Sequence, residues 1–518
     1  MSQQIQTFSI TAPGFYGLNT QDSSLDLASG FALTAINCVI DQYGRVGARK
    51  GWTILHNSNG SLGTANIEAM GQLVTDDGSE YIIVAGNSKL FKLAGGTLTL
   101  LTYGGGGTAP TISGNNWQIA SLNECLYFFQ SGNDPLVFDP AVSTTTYRRV
   151  SEKTGYVGTV PSGNIVLSAY GRLWVADLAT EKAVLYWSDI LSGHKWSGGS
   201  TGSIDVSSVW PNGADNITGL ASHNGFLFIF GSNNILVYSG AQDVLSAGVF
   251  KIVDSITGIG CIARDTIQNT GSDIIFLSDT GVRSVLRTVQ EKSAPFRDLS
   301  KNVRNDLMKA VAGEYPSTIK SVYSPFESFY LLTLPGSKIV YCFDTKTMLQ
   351  DGAARVTTWS SIEPQSFCYL RDKSLLIGKA GYVGTYTGYQ DNGSTYRFQY
   401  FTNHTDLGSP SITSVLKKLS VVVIGGSNQY LTMKWGYDFK ENYSAQSVNI
   451  PLQGVSEYGI AQYNTPGAVY AGGISIQPLV AYPTGAGKVI QTGYEADING
   501  SALSIQKIEI QAKNGKIV

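Results

Sequence analysis

Charge is what this 518-residue sequence has least of, at 14% Asp, Glu, Lys and Arg, against about 25% in an ordinary soluble domain. Thirty-six cations face 38 anions, for a formal net charge of −2. Proteins that grip nucleic acid draw much of their affinity from neutralising phosphates with Lys and Arg, so this balance argues against tight nucleic-acid binding. It also supplies little colloidal repulsion, which suits a surface covered by neighbouring subunits. Cysteine is sparse too. Cys38, Cys125, Cys261, Cys342 and Cys368 are odd in number and form no CxxC. All but Cys261 sit in strand-like apolar runs, as small buried hydrophobes do, so no disulfide framework is expected. No apolar run reaches the roughly 18 residues that a membrane helix needs. The opening "MSQQIQTFSITAPG" shows neither a basic n-region nor an apolar h-region, so synthesis in a cytoplasm is expected. Helical periodicity is nearly missing. It is found at 296–311, where Leu299, Val303, Leu307 and Val311 share a stripe and Ser300 is placed to cap it.

What is present is glycine, 59 residues of it, and a strand-turn-strand unit that returns seven times. The units are "SEYIIVAGNSKLFKLAG" (79–95), "ECLYFFQSGNDPLVFDP" (124–140), "GRLWVADLATEKAVLYWSD" (171–189) and "GFLFIFGSNNILVYSG" (225–240). "SDIIFLSDTGVRSVL" (272–286), "ESFYLLTLPGSKIVYCFD" (327–344) and "KSLLIGKAGYVGTYTG" (373–388) complete the series. Each is an apolar strand, a polar turn and a second strand, the pattern of a β-hairpin. Further runs, such as "NWQIASL" before a unit or "TTTYRRV" after one, raise the count to three or four strands every ~40–50 residues, which is what a propeller blade requires. Continuous apolar runs such as "FLFIF" imply that the first two strands of a blade are covered on both faces by neighbouring blades, so the units must close into a ring. The expected fold is therefore all-β: a propeller of six or seven blades at 63–395, with a short helical insert. It is inserted between an N-terminal β segment (1–62) and a C-terminal antiparallel, sandwich-like domain (396–518) that together form a platform. A two-sheet sandwich, which would alternate throughout, ranks second.

Catalytic patterns do not survive inspection, and no enzyme activity or cofactor is expected. "GGSTG" (198–202) matches a nucleophile elbow around Ser200 but lacks the strand before it and the helix after it. "GAGKV" has Val489 where a phosphate loop needs Ser or Thr. His56, His194, His223 and His404 are isolated, without metal-ligand spacing. "QDNGS" (390–394) and "DINGS" (497–501) are oxygen-rich, but are far shorter than a calcium loop and are read as tight turns. The eight tryptophans support an alternative, a carbohydrate-binding or carbohydrate-cleaving propeller of tail-spike or lectin type.

The most specific stretch is "GFYGLNTQDSSLDLASGFALTAINCVIDQYGRVGARKGW" (14–52). Its strand and Asp41–Gly44 turn run into three cations, Arg45, Arg49 and Lys50, in a chain poor in charge. The sequence leaves three readings open: a phosphate site without a glycine-rich helix start, solvated cations, or an ion-paired joint of the hairpin with the C-terminal domain or a neighbouring subunit. Asn19, Gly30, Asn37, Asp41, Gly44, Arg45, Arg49, Gly51 and Trp52 follow a pattern that resembles the N-terminal signature of short-tailed bacteriophage (podovirus) tail nozzle proteins, the tail tubular protein B or stabilisation proteins. Lys50 departs from the proline often found there. The resemblance implies a homohexameric virion ring around a DNA channel, assembled in the host cytoplasm. It further implies attachment to a tail adaptor protein, docking of fibre or spike proteins, and transient passage of double-stranded DNA without sequence-specific binding. The signature residues would then lie at interfaces. Gate residues are not assigned, with the loops at 102–116 and 452–474 as candidates.

Overall fold

In a computed structural model the described residues are 5–517, apart from 115, 212, 247, 286–297, 407–411, 427, 441 and 452–475. The seven repeated units are the second and third strands of seven blades. Six blades are separate sheets, and the sixth in chain order is one end of a ten-stranded sheet. The innermost strands are Ile67–Val74, Gln118–Leu122, Ile165–Ala169, Ile217–His223, Gln268–Asn269, Lys320–Ser324 and Ser366–Tyr369. They pack side by side in that order, and the last returns to the first. The second strands are buried at every position in five of the seven blades, as in Cys125–Phe129, Ile274–Ser278 and Phe329–Leu334, and only Glu80, Tyr81, Ile82 and Phe226 escape full cover in the other two. The innermost strands are covered less, as Gln118–Leu122 shows. Full cover therefore falls on the second strand, with the third close behind, because the first turns an edge toward the axis. Two-residue turns with both residues at positive φ join the first and second strands of three successive blades: Asn123-Glu124, Tyr170-Gly171 and Asn224-Gly225. That turn type matches the right-handed twist of the strands it links.

The chain start closes the ring. Trp52–Ile54 pairs antiparallel with Val383–Tyr386 as the outer strand of the seventh blade. His56 supports the seam by accepting the Val383 N–H at Nε2, 3.0 Å, while its Nδ1 faces the Asn57 carbonyl at 2.6 Å. Trp52 packs with Trp359, Phe329 and Tyr386 between the sixth and seventh blades.

The platform is a two-sheet sandwich. One sheet orders Ile476–Ala481, Ile412–Gly425, Leu503–Ile517, Val46–Ala48 and Cys38–Ile40, with Ile5–Thr11 on Leu503–Ile517. The other is continuous with the sixth blade. From Ala354–Trp359 it passes through Gly17–Leu18 and Phe31–Ile36 to Tyr396–Thr402, Ile490–Ile498, Gln429–Tyr437 and Ser444–Ile450. Both sheets feed one core, with Tyr400, Tyr494, Leu419, Val421 and Ile508 fully buried.

The helical segment is shorter than its periodicity suggests, a 3-10 turn at Lys301–Val303 followed by Arg304–Val311; 296 and 297 lie outside the described residues. Its stripe is buried against the fifth blade, which has three strands among the described residues. Ser300 does not cap it. Its hydroxyl donates to Asp298 at 2.6 Å and accepts the Val282 N–H at 3.0 Å, which fastens the segment to the blade instead. Of the two gate candidates, 452–474 lies outside the described residues, and Thr102–Tyr103 is a short parallel strand on the second blade. All five cysteines are free, and burial pushes the Cys261 and Cys368 thiols up to about 12. Truncating Trp52 to Ala removes the anchor of the closing strand and is expected to cost about 3–5 kcal/mol. Chemical denaturation checks this, and an unchanged midpoint would show that closure does not depend on that strand.

Candidate functional site: the N-terminal clasp

Arg49 is fully buried. Its fork takes Asp391 in two places, Nη1 to Oδ1 at 2.8 Å and Nη2 to Oδ2 at 2.7 Å. Its other donors reach Asn37 Oδ1 (2.9 Å), the Lys50 carbonyl (2.9 Å), the Ser360 carbonyl (3.1 Å) and Ser361 Oγ (3.1 Å). The guanidinium lies 4.1 Å from the centroid of the Tyr396 ring, and the Tyr396 hydroxyl donates to the Arg49 carbonyl. Burial pushes that phenol well above its ordinary range. One side chain thus joins the N-terminal hairpin, the end of the sixth blade and the passage from the seventh blade into the platform. A planar, bidentate, always charged group suits this position, and lysine does not.

Asn37 completes the clasp. It sits at φ 57°, a left-handed conformation that asparagine tolerates. Its Oδ1 also accepts the Ser360 N–H at 2.9 Å, and its Nδ2 donates to the Arg397 carbonyl at 2.7 Å. Gly51 is required by contact rather than by φ, since a Cβ there would lie 1.8 Å from the Gln390 carbonyl oxygen. Gly30 meets both demands: φ is 111°, and an added Cβ would be 2.2 Å from the Gly14 carbonyl oxygen. Asn19 folds its own loop, accepting the Gln21 and Asp22 N–H groups and donating to Asp22 at 2.9 Å. Asp41 accepts the Tyr43 and Arg45 N–H groups to shape the turn that Gly44 closes.

The three cations all meet carboxylates of this chain. Arg49 pairs with Asp391, Lys50 with Glu327, and Arg45 with Asp41 at 3.8 Å. Arg49 and its partners form the clasp, Asn19 and Gly30 lie apart from it, and Trp52 belongs to the ring seam. Asp391 was the partner that residue patterns missed. Its "QDNGS" context signals a tight turn, which it is, with reciprocal bonds to Ser394. Nothing local shows that its carboxylate points at an arginine 342 positions away. Beside the clasp, a cleft of about 480 Å³ is lined by Asp41, Lys50, Glu327, Asp344, Lys346 and Arg355, among others.

The propeller axis has its own charged group. Arg264, from the fifth blade, donates to the Trp117 carbonyl (2.8 Å) and to Asn164 Oδ1 (2.8 Å), on segments leading into the second and third blades. Asp265 receives Arg264 Nε at 2.9 Å and Lys320 Nζ at 2.5 Å. Burial raises the Asp265 pKa, but the two cations outweigh it and hold the carboxyl at about 2. Ser200 is structural: its hydroxyl donates to Asp189 at 2.6 Å and accepts from Arg172 at 2.5 Å, with no imidazole bonded to it. Seven of the eight tryptophans are buried and Trp196 is half-buried, so their faces are committed to packing.

No family model and no curated protein matches the sequence. Among solved structures, the chain is similar to the extracellular domain of the putative one-component system BT4673 from B. thetaiotaomicron. The match has 10% identity and a TM-score of 0.41, and covers 83% of this chain and 60% of that one. The WD40 domain of Neurospora crassa Pan2 matches at 9% identity and a TM-score of 0.37, over 65% of this chain and 96% of that one. This chain therefore spans less than two thirds of the BT4673 domain, and at these identities the likeness concerns the propeller fold alone.

Removing one partner of the Arg49–Asp391 pair leaves a buried charge, so Arg49→Met or Asp391→Asn is expected to cost about 3–5 kcal/mol. The double variant Arg49→Met/Asp391→Leu should recover part of that loss in a denaturant double-mutant cycle, and strict additivity would deny the coupling. At the axis, the Asp265 pKa lies below its unfolded value of about 3.9. Its contribution, about 2 kcal/mol, is full above about pH 4 and lost as pH falls toward 2. Acid unfolding of Asp265→Asn should lack that part of the pH dependence.

Proposed function

We propose that this chain is the tail nozzle protein of a short-tailed bacteriophage, a virion structural protein assembled in the host cytoplasm. In this reading copies of it form a ring, a homohexamer by the family resemblance, around a DNA channel beneath the portal and adaptor, with tail fibres or spikes on the flank. The ring holds the genome in and conducts it outward at ejection. The observation that carries the reading is the signature at 14–52, whose Asn37, Arg49 and Gly51 make the clasp between propeller and platform. A signature that holds the two bodies in one fixed relation is what an assembling ring subunit needs.

Two further features support it. Arg264 spans the propeller's own axis, so a DNA conduit has to be made between copies and not through one propeller. The scarcity of fixed cations suits a wall past which DNA slides, because counterion release at Lys and Arg would otherwise hold the duplex. Negative-stain microscopy and native mass measurement of the purified full chain test the proposal. The expected particle is a six-fold ring with a central hole. A stable monomer at high protein concentration, also in the presence of an adaptor protein, would overturn it.

A further inference from the structure

The cleft under the Asp41–Gly44 turn holds charge that the chain itself leaves unanswered. Arg355 lies on the outer strand of the sixth blade and is 8% exposed. Among the described residues its guanidinium has no hydrogen bond and no ion pair, and its Nε is buried without a partner. Its Nη1 lies 3.4 Å from where a Cβ on Gly44 would sit, directly beneath the turn. On the adjoining strand, Asp344 is 4% exposed. Its Oδ1 accepts the Lys346 N–H at 3.0 Å, whereas Oδ2 is buried and unpartnered. Lys346 Nζ stands 3.6 Å from Asp344 and donates to the Ile40 carbonyl at 3.1 Å. Burial raises the Asp344 pKa, and Lys346 and Arg355 only partly offset this.

The other buried arginines each have at least one partner: Arg49 has Asp391, Arg264 has Asp265, Arg283 bonds Thr280, and Arg172 bonds Ser188 and Ser200 through Nη1, although its Nε, like that of Arg355, has none. A guanidinium this deep without a partner destabilises the fold, as does a buried carboxylate oxygen with none. What separates Arg355 and Asp344 from the rest is that they line an open cleft of about 480 Å³, a volume within the range that small ligands occupy.

We propose that this cleft binds a small oxyanion, a carboxylate or a phosphate, held by the fork of Arg355 with Lys346 beside it, while Asp344 Oδ2 takes a hydroxyl or ammonium donor of the same ligand. Planar bidentate recognition is what an arginine supplies to either oxyanion. The ligand class is therefore a hydroxy acid, an amino acid or a phosphorylated polyol. The site does not depend on the ring reading, since every group named belongs to one chain.

Thermal unfolding and isothermal titration of the full chain test this with four probes: inorganic phosphate, glycerol phosphate, lactate and propionate. Potassium chloride at matched ionic strength serves as the control. At least one oxyanion is expected to raise the melting temperature above the chloride control and to bind saturably at one site per chain. The hydroxyl-bearing members of each pair should bind more tightly than their plain counterparts. Arg355→Met removes the unanswered charge, so without ligand it should melt no lower than the parent chain, yet bind at least tenfold more weakly. Asp344→Asn should reduce the advantage of the hydroxyl-bearing probes. Absence of saturable binding by all four probes to the parent chain would overturn the site without reference to any variant. Undiminished binding by Arg355→Met would overturn the role of the arginine.

Discussion

One buried guanidinium holds together three parts of the chain that are far apart in sequence. Arg49 is bonded to Asn37 in its own hairpin, to Ser360 and Ser361 at the end of the sixth blade, and to Asp391 beyond the seventh. Burying a charge is worthwhile only where nearly every donor is satisfied, and here all three guanidinium nitrogens are. The result is directional in a way that apolar packing is not. Propeller and platform share a continuous sheet, whose register its side-chain alternation sets, and a hydrophobic core, whose attraction is non-directional and tolerates small changes of orientation. A forked ion pair with its neighbours fixed does not. The chain retains Asn37 at positive φ and Gly51 against the Gln390 backbone to build this arrangement.

The shortage of charge acquires a spatial meaning from this. Several of the few ionisable groups are collected at junctions: the Arg49–Asp391 clasp, the Arg264–Asp265–Lys320 group on the axis, and the cleft beneath the Asp41–Gly44 turn. Between the junctions, blade faces are joined by aromatic and aliphatic contacts such as Trp359 stacked on Tyr386 at 5.4 Å. Apolar contact supplies most of the stabilisation, being proportional to area and indifferent to direction. Paired charge in the low-dielectric interior then fixes which faces meet, because a misplaced partner leaves a buried ion unanswered.

The blades were legible because their signal is local. Two strands and a tight turn lie within about twenty residues, and burial on both faces makes the middle strands continuously apolar, as in "FLFIF" and "FYLLTL". The closing strand was not legible as part of the seventh blade. Trp52–Ile54 is three residues long and its partner is more than 300 residues away, so nothing near it in sequence identifies the pairing. The same distance hid Asp391. Capping by Ser300 failed for a related reason: the residue type was right, but Asp298 and the Val282 N–H, one of them brought in by tertiary packing, engaged its hydroxyl first. Local chemistry proposes partners, and the nearest group in space decides among them.

That division between local and distant contacts also bears on how the molecule assembles. Each blade hairpin can form from its own residues, but it cannot bury both faces until its neighbours are in place. The seventh blade lacks its outer strand until Trp52–Ile54 returns to it, and the platform is incomplete until Leu503–Ile517 pairs with Ile5–Thr11. The beginning of the chain must therefore wait for the end of the propeller and then for the end of the platform. Closing contacts of such long sequence separation carries a large loop entropy and makes folding slow. The hairpin at 38–48, a short local structure, offers the early nucleus on which this return can build. It presents the Asp41 turn and the adjoining Arg49 side chain before their distant partners exist. The clasp then becomes the step at which the start of the chain commits to its place, because Arg49 and Lys50 acquire there, in Asp391 and Glu327, counter-charges that no local residue supplies.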